Sequence, residues 1–100
     1  MNVIFQGTLD GCGGQRITCT TTSLTIEDIS INNSSAYTFT LKRFTSGKGL
    51  VLIYTFDLDA GDNVRDNETY ILNNGDYLEL TSNIPGTTFY ISGDQIWYKS

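Results

Sequence analysis

The sequence predicts an all-β fold: a single antiparallel β-sandwich, jelly-roll or Greek-key-like, of about eight to nine short strands. Three observations carry that expectation. First, among 100 residues there are 14 threonines, ten isoleucines, six tyrosines and five phenylalanines, against two alanines and three glutamates. β-Branched and aromatic side chains pack well on a pleated surface and lose rotamer freedom in helices, so the composition favours strands. Second, apolar and polar residues alternate with period two over most of the chain, the mark of half-buried strands. Third, glycine- and asparagine-rich turn signals recur between these runs at the short spacing of a sandwich or barrel, and no stretch has helical periodicity. A chain of this length buries roughly two-thirds of its unfolded surface and forms one core, so a single domain over residues 1–100 is expected.

The elements follow in order. Residues 3–9 read as a first strand, closed by Asp10-Gly11-Cys12-Gly13-Gly14, a glycine-dense segment suited to a tight hairpin. Strands over 16–22 and 25–32 come next, with Ile29 and Ile31 on one face, and then a turn at Asn33-Ser34-Ser35. Residues 36–44 alternate most cleanly, with Tyr37, Phe39 and Leu41 on one face and Thr38, Thr40 and Lys42 on the other. Beyond Gly47-Lys48-Gly49, residues 50–58 are apolar on both faces: Leu50, Leu52, Tyr54, Phe56 and Leu58 against Val51, Ile53 and Thr55. Such a strand is expected at the centre of a sheet. A polar loop over 59–67 leads to strands at 69–72 and 77–81, joined by an Asn-Gly-Asp turn expected to form a hairpin. Two final strands, 87–92 and 95–99, are expected on either side of a turn at Gly93-Asp94.

Charge and residue inventory narrow the function. The net charge is −5 and the six lysines and arginines are dispersed, so no basic stripe is available to neutralise phosphates, and direct nucleic-acid binding is not expected. No apolar run approaches the ~20 residues of a membrane-spanning helix, and the N-terminus lacks the pattern of a secretory signal. Histidine is absent, which removes the commonest general base and every Ser–His, Cys–His or His–zinc arrangement, so no catalytic residues and no cofactor are expected. Asp57, Asp59, Asp62 and Asn63 are the densest set of oxygen ligands, but their spacing does not fit a calcium loop, and a solvated acidic turn is the expectation. Cys12 and Cys19 are expected as free thiols, and the sequons at Asn33 and Asn67 as chance.

Aromatic residues at the two ends of the chain suggest contact surfaces. Trp97 and Tyr98 in the last strand, Tyr77 before the final turns, and Val3 and Phe5 in the first strand are the interface candidates, because terminal strands tend to lie at sheet edges and tryptophan is enriched at binding hot spots. Exposed tyrosine and tryptophan rings at positions 70, 77, 90, 97 and 98 also suit stacking on sugars, so a carbohydrate-binding module is the alternative.

Residues 29–35 (Ile-Ser-Ile-Asn-Asn-Ser-Ser), the alternating strand 37–41, Leu58-Asp59-Ala60-Gly61-Asp62, residues 70–78 with Leu72-Asn73-Asn74-Gly75-Asp76, and Phe89 to Gln95 form a layout. That layout resembles the small β-sandwich structural proteins of tailed-bacteriophage virions. The resemblance covers about residues 25–98. It implies a non-enzymatic role as a capsid auxiliary, decoration, neck, tail or fibre-attachment component, a homo-oligomeric state, partners among other virion proteins, and a location in the virion after assembly in the bacterial cytoplasm. Residues 1–24 lie outside it and are read as an added hairpin or an arm toward a neighbour.

Overall fold

The structure, a computed structural model, describes residues 1–97. Nine strands are present: β1 (Asn2–Leu9), β2 (Gln15–Thr18), β3 (Ser23–Asn32), β4 (Tyr37–Thr45), β5 (Gly49–Leu58), β6 (Asn63–Asp66), β7 (Tyr70–Asn73), β8 (Tyr77–Ser82) and β9 (Thr87–Ile96). All pairings are antiparallel. One sheet runs β1-β9-β3-β6, with β7 continuing the β6 edge along the other half of β3; the other runs β2-β8-β4-β5. The chain is thus a long hairpin bent at the β4–β5 turn and rolled up. Its successive pairs, β4·β5, β3·β6/β7, β2·β8 and β1·β9, fall alternately in one sheet and the other. That is the double-sheet jelly roll.

The core is the layer between the sheets. Ile26, Ile29 and Ile31 of β3 and Ile91 of β9 face Phe39 and Leu41 of β4 and Leu78 and Leu80 of β8, all essentially without solvent contact. The alternation at 37–41 is the cause: every second side chain enters the core and the intervening threonines stay outside.

Several elements differ from what the sequence predicts, each for a physical reason. The glycine-dense segment after β1 and the Asn-Gly-Asp segment after β7 both carry the chain from one sheet to the other instead of closing hairpins. At the second, the Gly75 amide donates to the Cys19 carbonyl (2.8 Å) and the Cys19 amide to the Asp76 carbonyl (2.9 Å), so the turn is clamped to a distant segment. Residues 1–24 supply β1 to one sheet and β2 to the other, so no separate hairpin forms there.

The turn expected at Gly93-Asp94 is not a turn, because β9 runs unbroken through it. Gly93 is required by close approach: a methyl group there would lie 2.4 Å from the Thr25 carbonyl oxygen, beside the register shift between Ile26 and Asp28. β9, the last described strand, is interior, flanked by β1 and β3; of the two terminal strands only β1 is an edge. β6 lies in the expected polar loop, hidden because Val64 is its single apolar residue.

The largest departure concerns β5. It is the edge of its sheet, paired on one side only by β4, and most of its residues are exposed.

Candidate interaction surface

The β5 edge is built by a β-bulge. Leu41 pairs with Tyr54 and Lys42 with Leu52, so Ile53 is an extra residue on β5. Residues directly opposite one another share a face. Tyr54, Phe56 and Leu58 stand opposite the buried Leu41, Phe39 and Tyr37 and point inward. Above the bulge the phase reverses. Val51 pairs with Arg43, which itself pairs with the buried Leu78, and so points inward, while Leu50 and Leu52 pair with Phe44 and Lys42 and point outward. The unbroken two-residue period expected over 50–58 is therefore interrupted at Ile53, and the strand is apolar on both faces although it borders solvent. Leu50, Val51, Leu52 (56% exposed) and Phe56 (48% exposed) all lie within this strand. On the opposite sheet the exposed apolar side chains are Ile4 on β1, Ile71 on β7, and Tyr90 and Ile96 six residues apart on β9, with no run like that of β5. Scattered apolar residues are ordinary on a protein surface, whereas a contiguous group marks a contact region.

Between β5 and the β6–β7 junction lies an open recess of about 660 Å³, lined by Ile53, Tyr54, Phe56, Glu68 and Tyr70 among others. Asp66 forms its floor and is buried. The Tyr54 hydroxyl donates to Asp66 Oδ2 at 2.8 Å, the Tyr70 hydroxyl to the same oxygen at 2.7 Å, and the Glu68 amide to Oδ1 at 2.8 Å. A buried carboxylate supplied with three donors is satisfied. Burial, and then the neighbouring Asp66 carboxylate, hold both tyrosine hydroxyls well above their ordinary ionisation range. The trio ties the β5 edge to the opposite sheet. Arg43 bridges the sheets as well, its guanidinium donating to the Ile71 carbonyl.

The outer face of the β5 sheet carries an aromatic row. Phe44 stacks on Tyr77 with ring centroids 4.9 Å apart and planes 12° from parallel, and the Arg16 guanidinium caps Tyr77 at 4.5 Å. Arg16 also reaches Glu79 at 3.6 Å, an exposed pair that contributes little to stability.

The interface candidates named from the sequence are dispersed. Trp97 is 68% exposed just past the end of β9, and Tyr98 lies outside the described residues. Val3 and Phe5 are half-buried and pack against the core from the β1 edge. Tyr77 is half-buried between Phe44 and Arg16. The structure does not gather these four described residues into one patch. Of the ring positions suited to sugar stacking, Tyr70 is buried with its hydroxyl engaged and Tyr77 has its faces occupied, leaving Tyr90 and Trp97 exposed.

Asp57 at the end of β5 and the β5–β6 connection that follows it are held by local hydrogen bonds, while Asp59 and Asp62 are exposed. Asp57 accepts from the Thr38 hydroxyl (2.7 Å), the Asp62 amide donates to the Asp59 carbonyl (3.0 Å), and the Gly61 amide donates to the Asn33 carbonyl (2.9 Å). Among the described residues no three His, Cys, Asp or Glu side chains group as metal ligands. Both cysteines are free, Cys12 exposed and Cys19 buried. Asn33, in the first sequon, is buried with its side-chain amide donating to Thr87 Oγ1 (2.9 Å) and the Pro85 carbonyl (3.2 Å), so it offers no glycan acceptor.

Sequence reasoning missed the β5 edge because an apolar run reads the same in a central strand and in an edge strand that meets a partner. The one local signal was the Gly47-Lys48-Gly49 turn, which makes β4–β5 the apex of the rolled hairpin and so places β5 at a sheet border. No protein-family model matches the chain, and no curated protein is significantly similar to it in sequence.

Proposed function

We infer that this chain is a non-enzymatic assembly protein of a phage virion, binding capsid, neck or tail components as one copy of a multimer. The single observation that carries the assembly part of the reading is the β5 edge: ten residues of backbone paired on one side only, apolar on both faces, with Asp57 as the only charged side chain. Stable monomers blunt such edges with lysine, proline or short strands. The other edge of the same sheet does so, since β2 has four residues and includes Arg16. An unblunted edge gains main-chain hydrogen bonds and apolar burial when another chain adds a strand. The virion part rests on the resemblance over residues 25–98. The jelly-roll fold agrees with it without choosing it, because the same fold serves capsid subunits and lectins alike.

Purified phage particles probed with an antibody against the chain test this reading. It expects the chain in particles at a fixed copy number, retained after stringent washing. A chain found only in the soluble fraction of the lysate contradicts it.

The carbohydrate-binding alternative retains Tyr90 and Trp97 as exposed rings. Glycan-array binding that is lost in Trp97→Ala or Tyr90→Ala would favour that alternative over assembly.

A further inference from the structure

We propose that β5 pairs antiparallel with β5 of a second copy, about a two-fold axis passing between Ile53 and Tyr54, to give one continuous eight-stranded sheet. The bulge is what specifies the pairing. In a regular strand many registers match inward with inward and outward with outward residues, so self-pairing is weakly specified. β5 is different. Its outward set is Leu50, Leu52, Thr55 and Asp57, and its inward set is Val51, Ile53, Tyr54, Phe56 and Leu58. Antiparallel pairing of two copies over most of the strand matches every face in one register: Leu50 opposite Asp57, Val51 opposite Phe56, Leu52 opposite Thr55, and Ile53 opposite Tyr54. Sliding by one or two residues in either direction sets an outward residue against an inward one. The bulge at the strand's midpoint thus makes the edge self-complementary.

Charge agrees with the same register. Lys48, just before β5, falls opposite Asp59 of the second copy, with Asp57 of that copy two residues away on the same strand. Neither Lys48 nor Asp59 is in an ion pair among the described residues. Two such Lys48–Asp59 contacts close the ends of the seam, and cross-strand pairs of opposite charge favour the register that makes them. Inside, Val51 meets the overhanging Phe56 of the second copy, and the Ile53–Tyr54 pairs lie over the recess above Asp66.

The other long edge, β1, lacks these properties. Its outward face is Asn2, Ile4, Gln6 and Thr8, with Ile4 the single apolar side chain, and it pairs with β9 in one unbroken register, so nothing there selects a single self-pairing.

This pairing does not depend on the virion reading. Absence from particles would overturn that reading and leave the pairing standing, whereas a chain present in particles but of single mass in solution would overturn the pairing and leave the virion reading standing. Sedimentation equilibrium across a dilution series tests it. The wild type is expected at twice the 11.1 kDa chain mass, falling to the single mass on dilution. Leu52→Lys and, separately, Thr55→Lys are expected to abolish the doubled mass while leaving the far-ultraviolet circular dichroism spectrum unchanged, because both side chains are exposed. Register is read by oxidation in a Cys12→Ser background. Leu52→Cys/Thr55→Cys is expected to give a reducible dimer, and Leu50→Cys/Thr55→Cys is expected not to. A wild type of single mass at every concentration overturns the proposal. So does a doubled mass that survives both lysine variants, a cross-link in the second pair only, or a monomer that instead takes up an unrelated extended peptide along this edge.

Discussion

Asp66 shows how a polar residue comes to sit at the inner face of a sandwich. Its burial is compensated by the hydroxyls of Tyr54 and Tyr70 and by the Glu68 amide. Replacing Asp66 by Ala strands two hydroxyls and one amide, at an expected cost of about 2–4 kcal/mol in urea unfolding. Asp66→Asn keeps an acceptor and is expected to cost roughly half as much.

The same trio sets a pH dependence. Burial raises both tyrosine hydroxyls above their ordinary value, so the folded chain holds protons that the unfolded chain releases near pH ~10. Where the unfolded state binds fewer protons, stability falls with pH. This contribution is therefore complete below pH ~10 and is lost as the pH climbs above it toward the folded-state values. Urea midpoints measured from neutral to strongly alkaline pH should decline in the wild type and decline less in Tyr54→Phe/Tyr70→Phe.

Little of this was legible in the sequence. Asp66 lies in a segment with one apolar residue, and its tyrosine partners come from two other strands. Nor did the sequence show which thiol is buried: Cys12 is exposed in the glycine-dense segment after β1 and Cys19 lies in the core. One thiol per chain, Cys12, should react with a water-soluble disulfide reagent in the native state, and two after unfolding. Rapid native labelling of Cys19 would contradict its burial.

Among the strands, local alternation was sufficient for β4 and for Asp28 to Asn32 of β3, and misleading where a bulge or a close approach intervenes, as between Ile26 and Asp28. Nothing in Leu50 to Leu58 announces that Ile53 will be extra. The bulge follows from pairing with β4, a non-local event, and one extra residue exchanges the faces of everything beyond it. Gly93 reads as punctuation in the sequence, yet it is there so that β3 and β9 can approach. Gly93→Ala, with no turn to disrupt, is therefore expected to destabilise by about 2–4 kcal/mol through the clash with the Thr25 carbonyl. A neutral Gly93→Ala in thermal or urea unfolding would show that β3 bears no such close approach. In β4, Phe39 is fully buried between the sheets, and Phe39→Ala is expected to cost about 3–5 kcal/mol.

At the level of the whole molecule the fold class was legible and the order of strands was not. Composition and period two mark β-structure, but whether a glycine-rich turn closes a hairpin or crosses between sheets depends on what the flanking strands meet. The rolled hairpin brings Asn2 opposite Asp94, near the two ends of the chain. Pairing of such distant segments makes loop closure costly before it is rewarded, so folding is expected on the millisecond-to-second scale of all-β sandwiches. Among the described residues the same topology leaves four sheet edges: the short β2, the short β6 and β7 in line, β1 with one exposed apolar side chain, and β5, which is long, apolar and interrupted by a bulge.

The central claim is that this chain works by adding a strand to β5. Amide hydrogen exchange followed at rising protein concentration tests it most directly. Amides within residues 49–58 are expected to gain protection with concentration while those of β1 and β2 do not change. Exchange in β5 that is independent of concentration and of any added virion component, or protection that grows at another edge instead, would contradict it.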